Sequence, residues 1–232
     1  MIPIADENPT ALKPVVNVTL IVLNLTVFFY SVLLGPDGFA ELVYSYGTVP
    51  AFILSGKRLY TLITSMFLHG GWAHIIGNMV YLWIFGDNIE DACGHVKYLL
   101  FYILCGVIAS LTHIAANPNS LVPAVGASGA ISGVLGAYLL LYPRANVLTI
   151  IPWGYFFYRI IRIPALIYIG FWFVFQVIAG SITLLYGVKV GVAYFAHIGG
   201  FIAGILLAKA MNLRPRTMAF MPRWVYMRRY YS

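Results

Sequence analysis

Residues 126–142 read GASGAISGVLGAYLLLY, an apolar segment without a charged residue that has a serine, Ser128, as its third residue. A segment of this length and character is typical of a helix that crosses a lipid bilayer, whose core needs roughly 20 apolar residues. Pro118 and Pro123 disfavour a helix in the stretch just before it. We therefore expect the helix to begin near Ser128, with the serine hydroxyl in its first turn.

The composition extends this interpretation to the rest of the chain. Of its 232 residues, 61% are hydrophobic and 9% are charged, and the mean hydropathy is +0.87. Soluble proteins are roughly 45–50% apolar and about 25% charged. So few charges cannot cover a soluble globule, which excludes a soluble cytosolic domain, a disordered segment and a nucleic-acid-binding module. Two cysteines provide neither a disulfide framework nor a Cys-rich metal site.

Six segments have the length and hydropathy of membrane spans. The prediction is an all-α membrane protein with a six-transmembrane-helix bundle in residues 1–210, followed by a basic and aromatic tail, 211–232. In the first span Asn17, Asn24 and Ser31 recur every seven residues, so we expect this polar face to point into the bundle. The predicted spans are 15–35, 66–86, 98–116, 126–142, 165–187 and 190–210.

The distribution of Lys and Arg predicts the orientation. A cytoplasmic N-terminus leaves only Lys57, Arg58 and Lys189 on the outer side, and six spans return the C-terminus to the cytoplasm. We therefore predict a multi-pass integral membrane protein of the cell membrane with both termini inside. The apolar first loop, 36–65, is expected to lie in the membrane interface.

Polar side chains inside the spans are functional candidates, because lipid makes their burial costly. With a rise of about 1.5 Å per residue, Ser128 lies roughly 9 Å and His197 roughly 12 Å below the outer face of a ~30 Å core. Both residues adjoin small residues that allow two helix backbones to approach closely. A Ser128–His197 hydrogen bond, the arrangement of a nucleophile and its base, is therefore expected. The small residues are Gly129 and Gly133 in the fourth span and Ala196, Gly200, Gly204 and Ala208 in the sixth.

Each feature alone has a plainer interpretation. A Gly-x-Ser-Gly segment is typical of tight helix packing, and a single histidine in a span is typical of a hydrogen bond within the bundle. Matched depth and neighbouring small residues together favour the catalytic interpretation. No carboxylate follows Asp91, and Asp87 and Glu90 lie at the cytoplasmic end of the second span. The sequence thus permits a serine–histidine dyad without a carboxylate.

Three motifs together resemble the rhomboid family of intramembrane serine proteases: HGGWAHIIGN at 69–78, GASG at 126–129, and AHIGG at 196–200 followed by Gly204. The resemblance implies that Ser128 is the nucleophile and His197 the general base. It also implies that His74 and Asn78, one helical turn apart, stabilise the oxyanion beside the Ser128 N–H. We interpret His69 and His113 as interfacial or structural polar residues.

Two positions depart from the family pattern. Some members carry a tyrosine one turn after the nucleophile that packs on the catalytic imidazole, and this chain has Ser132 there. Many members have a Trp-Arg pair in the first loop, and the corresponding residues here are Tyr60 and Thr61. The packing around His197 and the anchoring of the first loop must therefore differ.

The resemblance implies hydrolysis of peptide bonds in transmembrane or juxtamembrane segments of single-span or polytopic membrane proteins. The lipid bilayer is the other predicted partner, and neither a cofactor, a metal nor a nucleic acid is predicted. The chain lacks the His-Glu-x-x-His motif of a metalloprotease and a pair of mid-span aspartates. Two alternatives stay open, a catalytically silent rhomboid-like protein that binds membrane helices and a small transporter. The aromatic fifth span is our candidate for the gate.

Overall fold

The computed structural model describes residues 2–152, 158–186 and 191–216, and these residues are mostly helical. A short 3₁₀ turn, Ser65–Phe67, precedes the fifth helix, and the strands form one three-stranded antiparallel sheet in the order β1-β2-β3. The helices are α1 Val15–Leu33, α2 Gly35–Tyr46, α3 Pro50–Leu54, α4 Thr61–Thr64, α5 Trp72–Cys93, α6 His95–Ala116, α7 Ser128–Leu141, α8 Ala165–Tyr186 and α9 Tyr194–Ala210; the strands are β1 Ile2–Asp6, β2 Asn146–Pro152 and β3 Tyr158–Pro164.

Six helices, α1 and α5 to α9, occupy the predicted spans. Helix α7 begins at Ser128, as the prolines before it predict. Helix α5 begins at Trp72 and not at residue 66, because the 3₁₀ turn and two glycines come first, and it continues to Cys93. Among the described residues, α1, α6 and α8 are long and apolar enough to cross a membrane, whereas α7 and α9 are shorter apolar helices. Residues 187–190 and most of the predicted tail, 217–232, lie outside the described residues.

The first loop folds into helices α2, α3 and α4, which the sequence analysis did not predict. The guanidinium carbon of Arg58 lies 4.9 Å from the ring centroids of both Tyr44 and Phe52, and its Nη1 donates a hydrogen bond to the Tyr44 carbonyl. The Tyr60 hydroxyl donates to the Ser45 carbonyl. These cation–π and hydrogen-bond contacts hold the loop without the Trp-Arg pair.

Helix α1 is attached to the last turn of α5 through its own free N–H groups. The buried Glu90 carboxylate accepts hydrogen bonds from the backbone N–H groups of Val16 and Asn17, at 2.9 and 2.7 Å. A carboxylate at this end of a helix satisfies unpaired donors and interacts favourably with the helix dipole. The predicted inward face of α1 is confirmed, since Asn17, Asn24 and Ser31 are all buried.

The sheet was missed by the all-α prediction. Strand β2 pairs with β3 in a hairpin, and β1 joins the other side of β2, so that Ile2 lies opposite Ile150. No strand was predicted from the sequence, because each strand is only five to seven residues long and leaves a weak pattern. The Asp6 carboxylate, at the end of β1, accepts hydrogen bonds from the Tyr138 hydroxyl and the Asn88 amide.

Burial raises the pKa of Asp6 from 3.8 to about 7, because the hydrogen bonds it accepts do not offset the loss of solvation. A carboxyl whose pKa is higher in the folded than in the unfolded chain stabilises the folded state when the carboxyl is protonated. Its stabilising contribution is present below about pH 4 and disappears as the pH rises through 7.

We expect the melting temperature of the protein in detergent micelles to fall between pH 5 and pH 8, and the Asp6→Asn variant to lose much of that slope. Circular dichroism against temperature at several pH values measures this. Asp37→Asn, which removes an exposed carboxylate, is the matched control and should keep the wild-type slope. Equal slopes in all three proteins would contradict the assignment to Asp6.

Candidate active site

Helices α7 and α9 are in direct backbone contact at their glycines. A Cβ atom on Gly200 would lie 2.0 Å from the Gly129 carbonyl oxygen, and one on Gly204 would lie 1.9 Å from the Gly133 carbonyl oxygen. Real Cβ atoms do not approach so closely, so only glycine fits at both positions. The predicted packing of the small residues of these two helices is confirmed, and it brings the beginning of α7 against the first turn of α9.

Ser128 and His197 meet at this contact. The Ser128 hydroxyl lies 2.9 Å from the Nε2 atom of the His197 imidazole, within normal hydrogen-bond distance. Ser128 is the first residue of α7 and is partly accessible. A serine that donates its proton to an imidazole at this distance can attack a carbonyl carbon while the imidazole takes the proton.

Two residues of α8, Gln176 and Trp172, complete the surroundings of His197. Gln176 was not among the predicted site residues. The Gln176 Oε1 atom lies 2.9 Å from His197 Nδ1, and the Trp172 ring centroid lies 5.9 Å from that of the imidazole. Gln176 is a polar residue in an apolar span, so the reasoning that singled out Ser128 and His197 could also have found it. Trp172 supplies the aromatic neighbour that the fourth span lacks.

Ser132 occupies the position at which some family members have a tyrosine, and its side chain does not contact the imidazole. Its hydroxyl donates a hydrogen bond of 2.6 Å to the Ser128 carbonyl oxygen, four residues back in the same helix. This side chain is buried, and the bond satisfies its donor within α7.

His74 and Asn78 lie beside the segment that leads into Ser128. A Cβ atom on Gly126, whose φ is +128°, would lie 2.7 Å from His74 Nε2 and 3.7 Å from Asn78 Nδ2. The Gly70 N–H donates to His74 Nδ1 at 3.3 Å, which leaves Nε2 as the N–H donor of that ring. Asn78 Nδ2 is buried and has no hydrogen-bond partner among the described residues. Two side-chain nitrogens thus lie beside Gly126, two residues before Ser128, and their role as oxyanion donors stays a prediction.

The other two histidines of interest occupy different positions. His69 is buried, with its ring centroid 5.1 Å from that of His74, and its interpretation as an interfacial or structural polar residue stays a prediction. His113 lines a small pocket whose wall also contains Ser65, Ser110 and Ser128.

The carboxylates of α5 lie far from this site. Glu90 follows His74 by sixteen residues, roughly 24 Å along the helix, and its oxygens are occupied by α1. Within the described ranges, His, Cys, Asp and Glu side chains form no group of three or more suited to a metal ion. The chemistry available at Ser128 comes from a hydroxyl, an imidazole and neutral N–H donors.

This helical fold, with apolar spans and a serine–histidine pair where two glycine-bearing helices meet, defines a polytopic membrane protein with a candidate hydrolytic site. Residues 56–213 match the Rhomboid domain family model, a range that contains every residue of the site. The chain belongs to the rhomboid family.

Named relatives agree with this assignment. The chain is 30% identical over 210 residues to Rhomboid protease GluP of Bacillus subtilis (strain 168), covering 90% of this chain and 37% of that protein. It is 30% identical over 165 residues to RHOMBOID-like protein 6, mitochondrial, of Arabidopsis thaliana, covering 71% and 48%. It is 33% identical over 160 residues to Rhomboid-like protease 5 of Toxoplasma gondii, covering 66% and 16%. The aligned part thus spans less than half the length of each relative.

The glycine contact generates a stability prediction. Gly200→Ala should destabilise the protein by about 1–3 kcal/mol, because the added methyl group forces α7 and α9 apart. Thermal unfolding in detergent, followed by circular dichroism, measures the loss. Gly170→Ala on α8 is the matched control, since nothing lies within 4 Å of the added Cβ, and it should be neutral or slightly stabilising. Equal stability of the two variants would rule out a tight α7–α9 contact.

Proposed function

We propose that this protein is an intramembrane serine endopeptidase that cleaves transmembrane or juxtamembrane segments of other membrane proteins. The observation that carries the proposal is the 2.9 Å contact between Ser128 Oγ and His197 Nε2. Two of the relatives described above are named proteases, which supports the same reaction class. A catalytically silent protein that binds membrane helices is the alternative, and the experiment below separates the two.

The proposed reaction has two stages. In the first, His197 Nε2 takes the Ser128 proton as Oγ attacks the scissile carbonyl, and then gives that proton to the leaving amine when the peptide bond breaks. In the second, His197 removes a proton from a water molecule that attacks the acyl-enzyme, and returns it to Ser128 Oγ as the new carboxyl product leaves. Each stage begins and ends with a neutral imidazole.

The oxyanion formed in both stages needs donors that are in place beforehand. The proposed donors are the Ser128 N–H, which is free because it belongs to the first residue of α7, His74 Nε2–H and Asn78 Nδ2–H. Donors held in a site with little water stabilise developing charge more strongly than water does.

The proposed topology places α1 and α5 to α9 across the membrane with both termini in the cytoplasm. In this arrangement residues 1–210 are the membrane domain, 211–232 are a cytoplasmic tail, and the Ser128 end of α7 faces the outer side. The sheet and the Glu90 contacts then lie on the cytoplasmic side. We propose the cell membrane as the location, from the distribution of Lys and Arg.

The first test is cleavage of a labelled single-span substrate by purified protein in detergent. Ser128→Ala and His197→Ala should each reduce kcat by at least about 10²-fold, because each removes a group that forms or breaks bonds. Ser132→Ala, one turn further along α7, is the matched control and should keep wild-type activity. Cleavage that survives in Ser128→Ala would disprove the mechanism, and wild-type protein that binds but does not cleave would favour the silent alternative.

The second test concerns the oxyanion donors. Asn78→Ala and His74→Ala should each lower kcat by about 10²-fold with little change in KM, because the donors act on charge that develops in the transition state. Steady-state kinetics on the same substrate measures both constants. Asn117→Ala, which removes an exposed amide at the end of α6, is the control. A kcat within twofold of wild type in both variants would remove these residues from the site.

A further inference from the structure

Gln176 lies on the side of the His197 ring opposite Ser128. Its Oε1 atom is 2.9 Å from Nδ1, while Ser128 Oγ is 2.9 Å from Nε2, so the imidazole is held by a hydrogen bond at each nitrogen. Only 5% of Gln176 is exposed to solvent, and it is the one glutamine of the chain. A buried amide in an apolar span needs a partner, and here the partner is the imidazole.

The contact selects the tautomer of His197. An amide oxygen accepts a hydrogen bond, so Nδ1 must carry the ring proton, and Nε2 is then left with the lone pair that faces the Ser128 hydroxyl. In the opposite tautomer, Nε2 would carry the proton and could not act as the base toward Ser128. The amide oxygen also stabilises the imidazolium after proton transfer, because Nδ1–H then belongs to a cation.

A neutral amide suits this position. No carboxylate follows Asp91 in the chain, and a buried anion would need its own charge partner in this part of the bundle. The other titratable side chains that act electrostatically on His197 are His74 of α5 and His113 of α6. The amide orients the ring without adding charge to a site that otherwise has none.

The geometry depends on where α8 lies against α9. Trp172 and Gln176 are one turn apart on α8 and both face His197, while Gly180, a further turn along, lets Tyr194 and Ile198 approach. The Phe173 ring stacks on that of Phe201, with centroids 4.2 Å apart. This register fixes Gln176 opposite Nδ1.

We propose that Gln176 is a positioning residue for His197: by accepting a hydrogen bond from Nδ1–H it holds the imidazole in the tautomer and orientation that Ser128 needs. The proposal rests on the proposed function for its effect on turnover. Its geometric part, the state of the His197 ring, does not depend on any substrate.

The experiment compares wild type, Gln176→Leu and Gln176→Glu. Thr183→Val is the matched control on the same helix, since the Thr183 hydroxyl donates a hydrogen bond to the Gly180 carbonyl of that helix. The first readout is ¹⁵N solid-state NMR of histidine-labelled protein in liposomes, with the His197 signals assigned by their loss in His197→Gln. The second is kcat, KM and the pH dependence of kcat/KM for cleavage of the single-span substrate. The third is the rate at which a fluorophosphonate probe labels Ser128.

In wild type, His197 Nδ1 should carry the proton. In Gln176→Leu the Nε2–H form should become populated, and kcat and the labelling rate should fall by about tenfold or more, with KM changed less than threefold. That loss is smaller than the full 10²–10⁴-fold contribution of a general base. In Gln176→Glu the acid limb of kcat/KM should move to higher pH by about one unit, because a carboxylate beside Nδ1 stabilises the inactive imidazolium. Thr183→Val should match wild type throughout.

The outcomes separate the two proposals. If wild type cleaves and depends on Ser128, but Gln176→Leu keeps the wild-type tautomer, kcat and labelling rate, the positioning role is overturned and the proposed function stands. If wild type does not cleave, the proposed function fails, and the NMR comparison still decides whether Gln176 sets the ring proton. A loss of activity in Gln176→Leu with an unchanged tautomer and an unchanged pH profile in Gln176→Glu would also overturn the positioning role.

Discussion

The close approach of α7 and α9 is the constraint on which the site depends. At Gly200 and Gly204 of α9 the carbonyl oxygens of Gly129 and Gly133 of α7 occupy the space that a side chain would fill. In a bilayer the lipid chains are as apolar as the side chains, so helices associate through van der Waals packing and not through a hydrophobic force. Glycines that allow backbone contact strengthen this packing, and they also bring a hydroxyl on one helix within hydrogen-bond distance of an imidazole on the other.

Charge is separated from the site along the bundle. In the last turn of α5, Glu90 accepts hydrogen bonds from the free N–H groups at the beginning of α1, and Asp91 accepts one from the Leu12 N–H just before that helix. Near Ser128 the groups are neutral: an amide, imidazoles, hydroxyls and main-chain donors. A neutral site costs less to bury in lipid than a charged one, and its hydrogen bonds are stronger for lack of competing water.

Much of the site could be predicted from sequence because its determinants are local and periodic. Ser128, His197, His74 and Asn78 each stand in a short motif, and helix rise alone places Ser128 and His197 at similar depths. Gln176 has no motif around it, and its contact with His197 depends on the register of α8 against α9, which hydropathy does not determine. The same limit applies to the sheet and to helices α2 to α4. Apolar periodicity identified the long spans, whereas strands of five to seven residues and the short helices leave too weak a pattern. Arg58 replaces the missing Trp-Arg pair through contacts that only the folded loop creates.

The pairing of β1 with β2 has a consequence for how the protein is made. Residues 2–6 precede α1 in the chain, yet their partner strand at 146–152 is synthesised only after α1, α5, α6 and α7. Closing a contact between Ile2 and Ile150 carries a large loop-closure cost until the intervening helices have been inserted and packed. The sheet therefore completes late in biogenesis, and β1 joins the strands between α7 and α8 only once the helix that carries Ser128 is in place.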